Sequence, residues 1–506
     1  MTRDTALPGT PASPLARALS LVRAGQPAGA LDVLDGALRQ RPDDPALLLA
    51  HAQCLAELGA FAQSAVSARQ AVAAMPEQAA AHHALGFALE QLGELDDASN
   101  AFEDALRLDP ALADAAARLA GLAARRGEWG TARSLAAKAL AQDPTHAAAH
   151  FALVMADTAE GHAGPAARRA RAIADDPAYQ PQIRAIARSL QADALDRQDR
   201  PHEAFSAYRK ANLAFRDIHR ARFERPGVAS GTALAGRLLA EFEALDGVQP
   251  NHASPTTRPH VFVLGFPRSG TTLIAEVLAG HPGARVADER DLLAESLRVF
   301  TGRPGGLKRL MRSPPDELAG WRDRYWARAA ELGFADGMLI DKSPFLTLHL
   351  PVIAALFPAA RIVFAVRDPR DVVFACYRRL FALNAFLYEC LTLEGAAGLY
   401  GATMRLAAAY RARLPLNMIE MRNESLAADP AREIGRLCTF LDIPTAPAML
   451  DFASRKVRRA AASPQSAALS AGPTAETGSQ WRRYAAELGP VLGRLEAWVR
   501  HFGYEP

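Results

Sequence analysis

Apolar and polar positions in the first 180 residues repeat with a period of 34. Within one period the apolar residues follow helical spacing, which predicts two amphipathic helices, for example over residues 80–92 and 95–108. Gly93 stands between these two helices and Pro110 follows the second. Three residue types keep the 34-residue register: Gly25, Gly59, Gly93, Gly127 and Gly161; Pro42, Pro76, Pro110 and Pro144; Ala37, Ala71, Ala105 and Ala139. The pattern predicts a stacked α-solenoid in which the small alanines let helices approach closely.

The period fades from Pro177, and residues 182–215 predict one or two helices that cap the stack. Residues 232–245 predict a single helix, and the Pro, Asn, Ser and Thr residues of 249–259 predict a linker. Beyond the linker, short apolar runs alternate with helical stretches, which predicts a parallel sheet covered by helices on both faces. The predicted strands cover residues 260–266, 337–340, 361–366 and 416–420.

These patterns predict the domain organisation and the fold class. We expect a flexible N-terminus over residues 1–14, a repeat array with its capping helices over 15–217, and a linker with one helix over 218–258. An α/β domain with a parallel sheet, similar to P-loop proteins, is expected over 259–506. A chain of 506 residues is long enough to build more than one hydrophobic core.

Composition narrows the class of protein. Half of the residues are hydrophobic and 22% are charged, as in globular proteins, and a net charge of +3 is too small to predict nucleic-acid binding. The chain contains no run of about 18 uncharged apolar residues, and its first residues lack the apolar segment of a signal peptide. The four cysteines show no metal-ligand spacing and suit a reducing compartment, so we expect a cytoplasmic protein without a membrane span.

The sequence of residues 260–274 predicts a buried strand, then a glycine-containing turn, then the start of a helix. Such a turn presents backbone amides and the positive end of the helix dipole to an anion. Gly265 and Gly270 fit the nucleotide-triphosphatase pattern GxxxxGK[ST], but Thr271 stands where that pattern has lysine, which disfavours an ATPase. The sequence predicts a cradle for the phosphate of a nucleotide, formed by Arg268, Ser269, Gly270, Thr271 and Thr272.

The segment Pro-Arg-Ser-Gly-Thr-Thr at 267–272 resembles the 5′-phosphosulfate loop of sulfotransferases. Further similar segments lie at 341–345, 364–373, 423–426, 440–444 and 481–484. Together with the 34-residue register, they make the chain similar to tetratricopeptide-repeat sulfotransferases, bacterial repeat-fused proteins whose catalytic domain resembles that of tyrosylprotein sulfotransferases. The resemblance implies 3′-phosphoadenosine 5′-phosphosulfate as co-substrate. Helix capping and pairing with nearby arginines account for Asp341, Asp368 and Asp371, so we expect no metal.

The resemblance also implies roles for individual residues. Glu289, which follows Arg268 by 21 positions, would be the general base, and Arg268 and Lys342 would act on the sulfuryl group and its leaving oxygen. Arg367 would hold the 3′-phosphate of the nucleotide. The residues alone leave an alternative open for each role. For Glu289 it is an acidic residue favoured by the dipole of a helix starting near Leu292, and for Lys342 and Arg367 it is a charge on the surface.

Three positions depart from the family. Ala375, Asn423 and Gln480 stand where relatives carry serine, tyrosine and a basic residue, all toward the 3′-phosphate and adenosine. One interpretation is a donor site that binds more weakly or through other cations; the second is a partly degenerate domain. The candidate compensating residues are Arg370, Arg455, Lys456, Arg458 and Arg459.

The sequence therefore favours transfer of a sulfuryl group to a hydroxyl acceptor. The repeats would present a peptide, protein or glycan, while lipids and small metabolites also stay open as acceptors. A protein-binding scaffold with a degenerate sulfotransferase-like domain is the alternative, and an ATP-dependent phosphotransferase is disfavoured by Thr271.

Overall fold

The computed structural model describes residues 13–245, 251–254, 258–381, 383–452 and 479–505. The described residues fall into two compact units, one ending at Glu160 and the other beginning at Gly161. The helices predicted to cap the repeat array thus lie in the second unit, together with the parallel sheet. The predicted domain bounds otherwise stay a prediction.

The first unit is made of helix pairs. Its described helices are α1 (Pro14–Arg23), α2 (Pro27–Gln40), α3 (Pro45–Glu57), α4 (Phe61–Ala74), α5 (Ala79–Leu92), α6 (Leu95–Leu108), α7 (Ala113–Arg126), α8 (Trp129–Gln142) and α9 (Ala147–Ala159). The glycines of the 34-residue register all have positive φ, and Gly93 ends α5 in the left-handed conformation with φ 78°. The alanines of the same register are buried. The repeat prediction is therefore confirmed, including the bounds of α6.

One helix contact in this unit leads to a stability prediction. A Cβ added to Gly86 in α5 would lie 2.7 Å from the ring of Phe102, which is fully buried. Gly86→Ala is therefore expected to lower the free energy of unfolding by roughly 1–2 kcal/mol, because the overpacking exceeds the gain in helix propensity. Gly121→Ala in α7, where an added Cβ meets nothing within 4 Å, is the control and should be neutral or stabilising. Thermal melting of both variants tests the difference, and equal melting shifts would contradict it.

The second unit begins with three helices, α10 (Ala163–Asp175), α11 (Pro181–Arg197) and α12 (Pro201–Phe223), followed by α13 (Gly231–Glu243). The sheet strands are β1 (His260–Leu264), β2 (Ala284–Asp288), β3 (Met338–Lys342), β4 (Arg361–Val366) and β5 (Asn417–Arg422). The other helices are α14 (Thr271–Leu278), α15 (Ala294–Phe300), α16 (Gly306–Arg312), α17 (Pro315–Glu331), α18 (Leu350–Leu356), α19 (Pro369–Tyr377), α20 (Ala385–Glu389), α21 (Leu393–Arg413), α22 (Asn423–Ala428), α23 (Pro430–Leu441), α24 (Pro447–Leu450) and α25 (Ala485–His501). Two 3-10 helices cover Pro344–His349 and Gln480–Tyr484.

The sheet is parallel, with strand order β2-β3-β1-β4-β5. Val261, Val263 and Ile340 pack on one face against a cluster that includes residues of α14 and α23. Phe262 packs on the other face against Tyr325 and Phe357. The predicted sheet with helices on both faces is confirmed. All strands end at the same edge, and β1 lies between β3 and β4, where ligands bind in open α/β sheets.

The helices α11 and α12 are attached to α19 by polar and aromatic contacts. The side-chain amide of Asn212 donates to the carbonyl of Tyr377 at 2.7 Å, and Tyr208 packs edge-on against Phe374. The Tyr208 hydroxyl donates to Asp193 at 2.6 Å. These buried contacts make the three helices an integral part of the sheet-containing unit.

Candidate active site

The loop after β1 has the backbone conformation that its glycines predict. Gly265 has a φ of 152°, and a Cβ there would lie 2.8 Å from the carbonyl oxygen of Ala365. Gly270 has a φ of 109° and precedes α14, which begins at Thr271. The Thr347 hydroxyl donates to the carbonyl of Gly265 at 2.7 Å and accepts from its amide at 3.0 Å. The loop therefore runs into the N-terminus of α14 at the sheet edge where the strands end.

Arg268 lies in this loop in a left-handed conformation, with a φ of 70°. For a residue with a Cβ this conformation costs roughly 1–2 kcal/mol, and such strain clusters at functional sites. Burial, together with the charges of Arg379, Arg367 and Arg378, lowers the pKa of the Arg268 guanidinium to about 9. Several cations therefore converge on the loop, an arrangement that favours an anionic ligand.

Lys342, the last residue of β3, is held between two carboxylates at the end of β2. Its ammonium is 2.9 Å from Oε1 of Glu289 and forms a shorter contact with Asp288. The Lys342 side chain is 1% exposed, whereas those of Asp288 and Glu289 are 35% and 30% exposed. Burial alone would lower the pKa of Lys342, but the two carboxylates outweigh burial and raise it. Lys342 is thus a buried cation whose charge is maintained by its two partners.

The backbone around Glu289 is also left-handed. Glu289 has a φ of 53° and Asp291 a φ of 31°, and the Glu289 amide donates to the carbonyl of Lys342 at 2.8 Å. The next helix, α15, begins only at Ala294. Because Glu289 lies outside the first turn of α15, stabilisation by a helix dipole does not explain its position. The contacts of its side chain and amide with Lys342 explain the position of Glu289.

Arg367 follows the end of β4 and extends toward the loop. Its guanidinium donates to the carbonyl of Arg268 at 3.4 Å and lies 3.9 Å from the carboxylate of Asp371. The ends of β1, β2, β3 and β4 therefore bring together the residues that the sequence predicted at a site: Arg268, Ser269, Gly270, Thr271, Thr272, Glu289, Lys342 and Arg367. Their individual roles remain predictions.

The three departures from the family lie beside this group. Ala375 is buried in α19, and Asn423 packs against Gly270, where an added Cβ would be 2.6 Å from its side-chain oxygen. The side-chain oxygen of Gln480 accepts a 3.2 Å hydrogen bond from Arg378. The short side chain of Asn423 therefore packs closely against the loop at Gly270.

Arg370, one of the candidate compensating cations, is engaged elsewhere. Its guanidinium is bound to Asp368 at 2.8 Å and to the carbonyl of Glu505 at 2.7 Å, and it stacks on the ring of Trp481. Arg370 therefore stabilises the C-terminal segment instead. The other candidates, Arg455, Lys456, Arg458 and Arg459, lie outside the described residues.

Sequence reasoning missed a buried hydrogen-bonded chain beneath the site. The Tyr325 hydroxyl donates to Asp341 at 2.9 Å, and Nε2 of His260 lies 2.7 Å from the same hydroxyl. Burial, with a smaller contribution from Arg258, lowers the pKa of His260 to about 3, so the imidazole is neutral and donates to the tyrosine oxygen. Burial raises the pKa of Asp341 to about 7 despite the Tyr325 hydrogen bond.

The raised pKa of Asp341 predicts a pH-dependent stability. The folded state binds this proton more tightly than the unfolded chain, so the stabilisation is complete below about pH 4 and is lost as the pH rises through 7. Asp341→Asn is expected to remove this component, on the order of a few kcal/mol, and to flatten the dependence of melting temperature on pH between 5 and 8. Asp336→Asn, at an exposed position before the same strand, is the control. An unchanged pH profile in Asp341→Asn would contradict the prediction.

The described residues contain no group of three or more His, Cys, Asp or Glu side chains placed to hold a metal ion. None of the described helices combines the length and apolar character needed to cross a membrane.

The first unit contains a groove of about 360 Å³. Residues of α1, α3, α5 and α7 line it, including Leu19, Cys54, His83, Phe87 and Arg118. The Arg118 guanidinium lies over the Phe87 ring at 4.5 Å and is bound to Glu90 and Asp114 at 2.7 Å each. The groove is thus mainly apolar, with a charged network along one side.

Known proteins resemble both parts of the chain. Residues 259–447 match the family model described as "Sulfotransferase family", and residues 15–54 and 79–112 match models described as "Tetratricopeptide repeat". An uncharacterized protein of Aquifex aeolicus is 24% identical over 48% of this chain and 33% of its own length. Protein-tyrosine sulfotransferase 1 of Danio rerio is 30% identical over 38% of this chain and 55% of its own length.

In both of these alignments, this chain covers less than two thirds of the relative's own length. Among solved structures, the sulfotransferase domain from the curacin biosynthetic pathway is similar, with a TM-score of 0.37 and 18% identity over 50% of this chain and 99% of that chain. From the family-model matches, the chain carries tetratricopeptide repeats followed by a domain of the sulfotransferase family.

Proposed function

We propose that the protein transfers a sulfuryl group from 3′-phosphoadenosine 5′-phosphosulfate to a hydroxyl group of an acceptor. The observation that carries the proposal is the buried Lys342, paired with Glu289 at 2.9 Å and placed at the sheet edge where the phosphate loop begins α14. Such a transfer requires a group that holds the phosphosulfate, a cation that neutralises the leaving oxygen and a base that accepts a proton. The phosphate loop, Lys342 and Glu289 supply these three functions in the proposal.

In the proposed reaction the acceptor oxygen forms a bond to sulfur while the bond from sulfur to the bridging phosphate oxygen breaks. Glu289 accepts the proton of the acceptor hydroxyl. Arg268 and the amides of Ser269 to Thr272 hold the phosphosulfate, and Lys342 stabilises charge on the leaving oxygen. The products are a sulfated acceptor and 3′-phosphoadenosine 5′-phosphate, which Arg367 also holds.

The repeats support a macromolecular acceptor as part of the proposal. The groove of α1, α3, α5 and α7 offers an apolar surface with Phe87, Arg118 and Glu57, which suits an extended peptide. A protein or glycan acceptor would use the same surface. All four cysteines are buried and free, which supports a cytoplasmic location.

The proposal is tested by donor binding and by transfer. We expect 3′-phosphoadenosine 5′-phosphate to raise the melting temperature of the full chain, because a ligand at 100 times its Kd adds about 2.7 kcal/mol to stability. ATP at the same concentration should have a smaller effect. Incubation with sulfur-labelled donor and a lysate should then label an acceptor. The absence of a melting shift with the bisphosphate nucleotide would refute the proposal, and ATP-dependent labelling would favour a phosphotransferase.

A further inference from the structure

A buried threonine outside the phosphate loop, residues 265–272, holds the loop at its first residue. The Thr347 hydroxyl donates to the carbonyl of Gly265 at 2.7 Å and accepts from the amide of the same residue at 3.0 Å. Thr347 is fully buried, so the two bonds are shielded from water. Both polar groups of the Gly265 backbone are therefore bound by one side chain that follows 82 positions later in the chain.

The position of Gly265 affects the rest of the loop. A Cβ on Gly265 would lie 2.6 Å from Oγ of Ser269 and 2.8 Å from the carbonyl oxygen of Ala365, so the backbone is closely packed at this point. The Ser269 hydroxyl accepts from the Phe266 amide at 3.2 Å, and the Ser269 amide donates to the Phe266 carbonyl at 3.0 Å. A displacement of Gly265 is therefore transmitted to Ser269, where the anion-binding amides begin.

Thr347 belongs to the same short segment as Lys342. Lys342 is the last residue of β3, and Thr347 lies in the 3-10 helix Pro344–His349, five positions further on. The turn between them is closed by a hydrogen bond from the Leu346 amide to the Ser343 carbonyl at 3.2 Å. Lys342 and Thr347 are 1% and 0% exposed, so both side chains are fixed in the interior. The segment therefore connects the buried ammonium to the phosphate loop.

The candidate base is joined to the same segment. The Glu289 amide donates to the carbonyl of Lys342 at 2.8 Å. Hydrogen bonds therefore connect Glu289 to Lys342, and, through the 3-10 helix, Thr347 to Gly265. A misplacement of about 1 Å between reacting groups can slow a reaction roughly 100-fold. The geometry of this connection thus bears directly on the rate of transfer.

We propose that Thr347 is a positioning residue for sulfuryl transfer. Its hydroxyl fixes the phosphate loop relative to the Lys342 ammonium, so that the donor held by the loop meets the cation in a reactive arrangement. Thr347 acts through Gly265 and does not itself contact the reacting atoms. The inference rests on the proposed function, because it assumes that reaction. Thr347 lies just beyond the segment 341–345 on which the family resemblance depends.

The test removes the hydroxyl of Thr347 and keeps the shape of the side chain. The readout is the rate at which the full chain transfers label from the sulfur-labelled donor to the lysate used above. Thr347→Val should lower this rate at saturating donor by about 10- to 100-fold. The donor concentration that gives half of the maximal rate should change by less than about threefold, because the loop amides still bind the donor. Thr347→Ser, which restores the hydroxyl, should transfer within about threefold of the wild-type rate.

Thr301→Val is the matched control. Thr301 is also buried, and its hydroxyl donates to the carbonyl of Leu297 at 2.9 Å at the end of α15. This variant also loses a buried hydroxyl hydrogen bond, and it should melt at a lower temperature without slowing transfer. Melting curves give the folded fraction of each variant, and all rates are compared per folded molecule. If Thr347→Val does not fold, Thr347→Ala takes its place with the same expectation.

Two results would overturn the inference. The first is a transfer rate in the hydroxyl-free variant within about threefold of wild type, which would leave Thr347 with a structural role only. The second is equal slowing in Thr347→Ser and in the hydroxyl-free variant, since the hydroxyl would then not be the group that matters. If the wild-type protein transfers no label, the proposed function itself fails, so the two failures are distinguishable.

Discussion

Replacing Glu289 by glutamine is expected to lower the rate of sulfuryl transfer by about 10²- to 10⁴-fold while the donor still binds. Glutamine keeps the size of the side chain and can still accept a hydrogen bond from the Lys342 ammonium, which lies 2.9 Å from Oε1 in the native protein. It cannot accept the proton of the acceptor hydroxyl. Single-turnover transfer with saturating donor measures the chemical step, and the melting shift with 3′-phosphoadenosine 5′-phosphate measures donor binding.

Asp288→Asn is the matched control for this variant. Asp288 and Glu289 both pair with Lys342 and are exposed to a similar extent, 35% and 30%. If the carboxylates only hold Lys342, the two substitutions should slow transfer equally. We expect the Asp288 variant to keep most of the rate, and equal losses would show that Glu289 is not the base.

The elements of the fold were predictable because their signals are local. The strand predicted over residues 361–366 coincides with β4, and the helix predicted over 95–108 coincides with α6. In both elements, the order of apolar and polar residues within one short segment of the sequence indicates which side chains are buried. The strand β2 is absent from the strands predicted above, because it lies at the edge of the sheet and its residues are not a continuous apolar run.

The contacts of the candidate site were less predictable because they join distant residues. Arg378 reaches Asp193 and Asp196, which precede it by 185 and 182 positions. No spacing rule connects a helix that follows a repeat array with the end of α19. The resemblance identified Glu289 and Lys342, but it did not indicate that both sit in one ion-paired group with Asp288. Nor did it indicate the left-handed backbone of Arg268 and Glu289.

Replacing Lys342 by methionine is expected to affect both transfer and stability. The buried ammonium lies within ion-pair distance of both Asp288 and Glu289, so its loss removes a shared cationic partner from two carboxylates. We expect stability to fall by roughly 2 kcal/mol, less than for a fully buried pair because both carboxylates are about one third exposed. Transfer should fall by about 10²- to 10³-fold, since charge on the leaving oxygen is no longer neutralised.

A second substitution separates the two effects. In the double variant Lys342→Met with Asp288→Asn, one of the two carboxylates that lost the ammonium is removed, and melting should show that part of the lost stability returns. Transfer should stay as slow as in the single variant, because the missing cation acts on the leaving oxygen and not on the fold. Recovery of transfer together with stability would mean that Lys342 only neutralises its neighbours, and the leaving-group role would then be wrong.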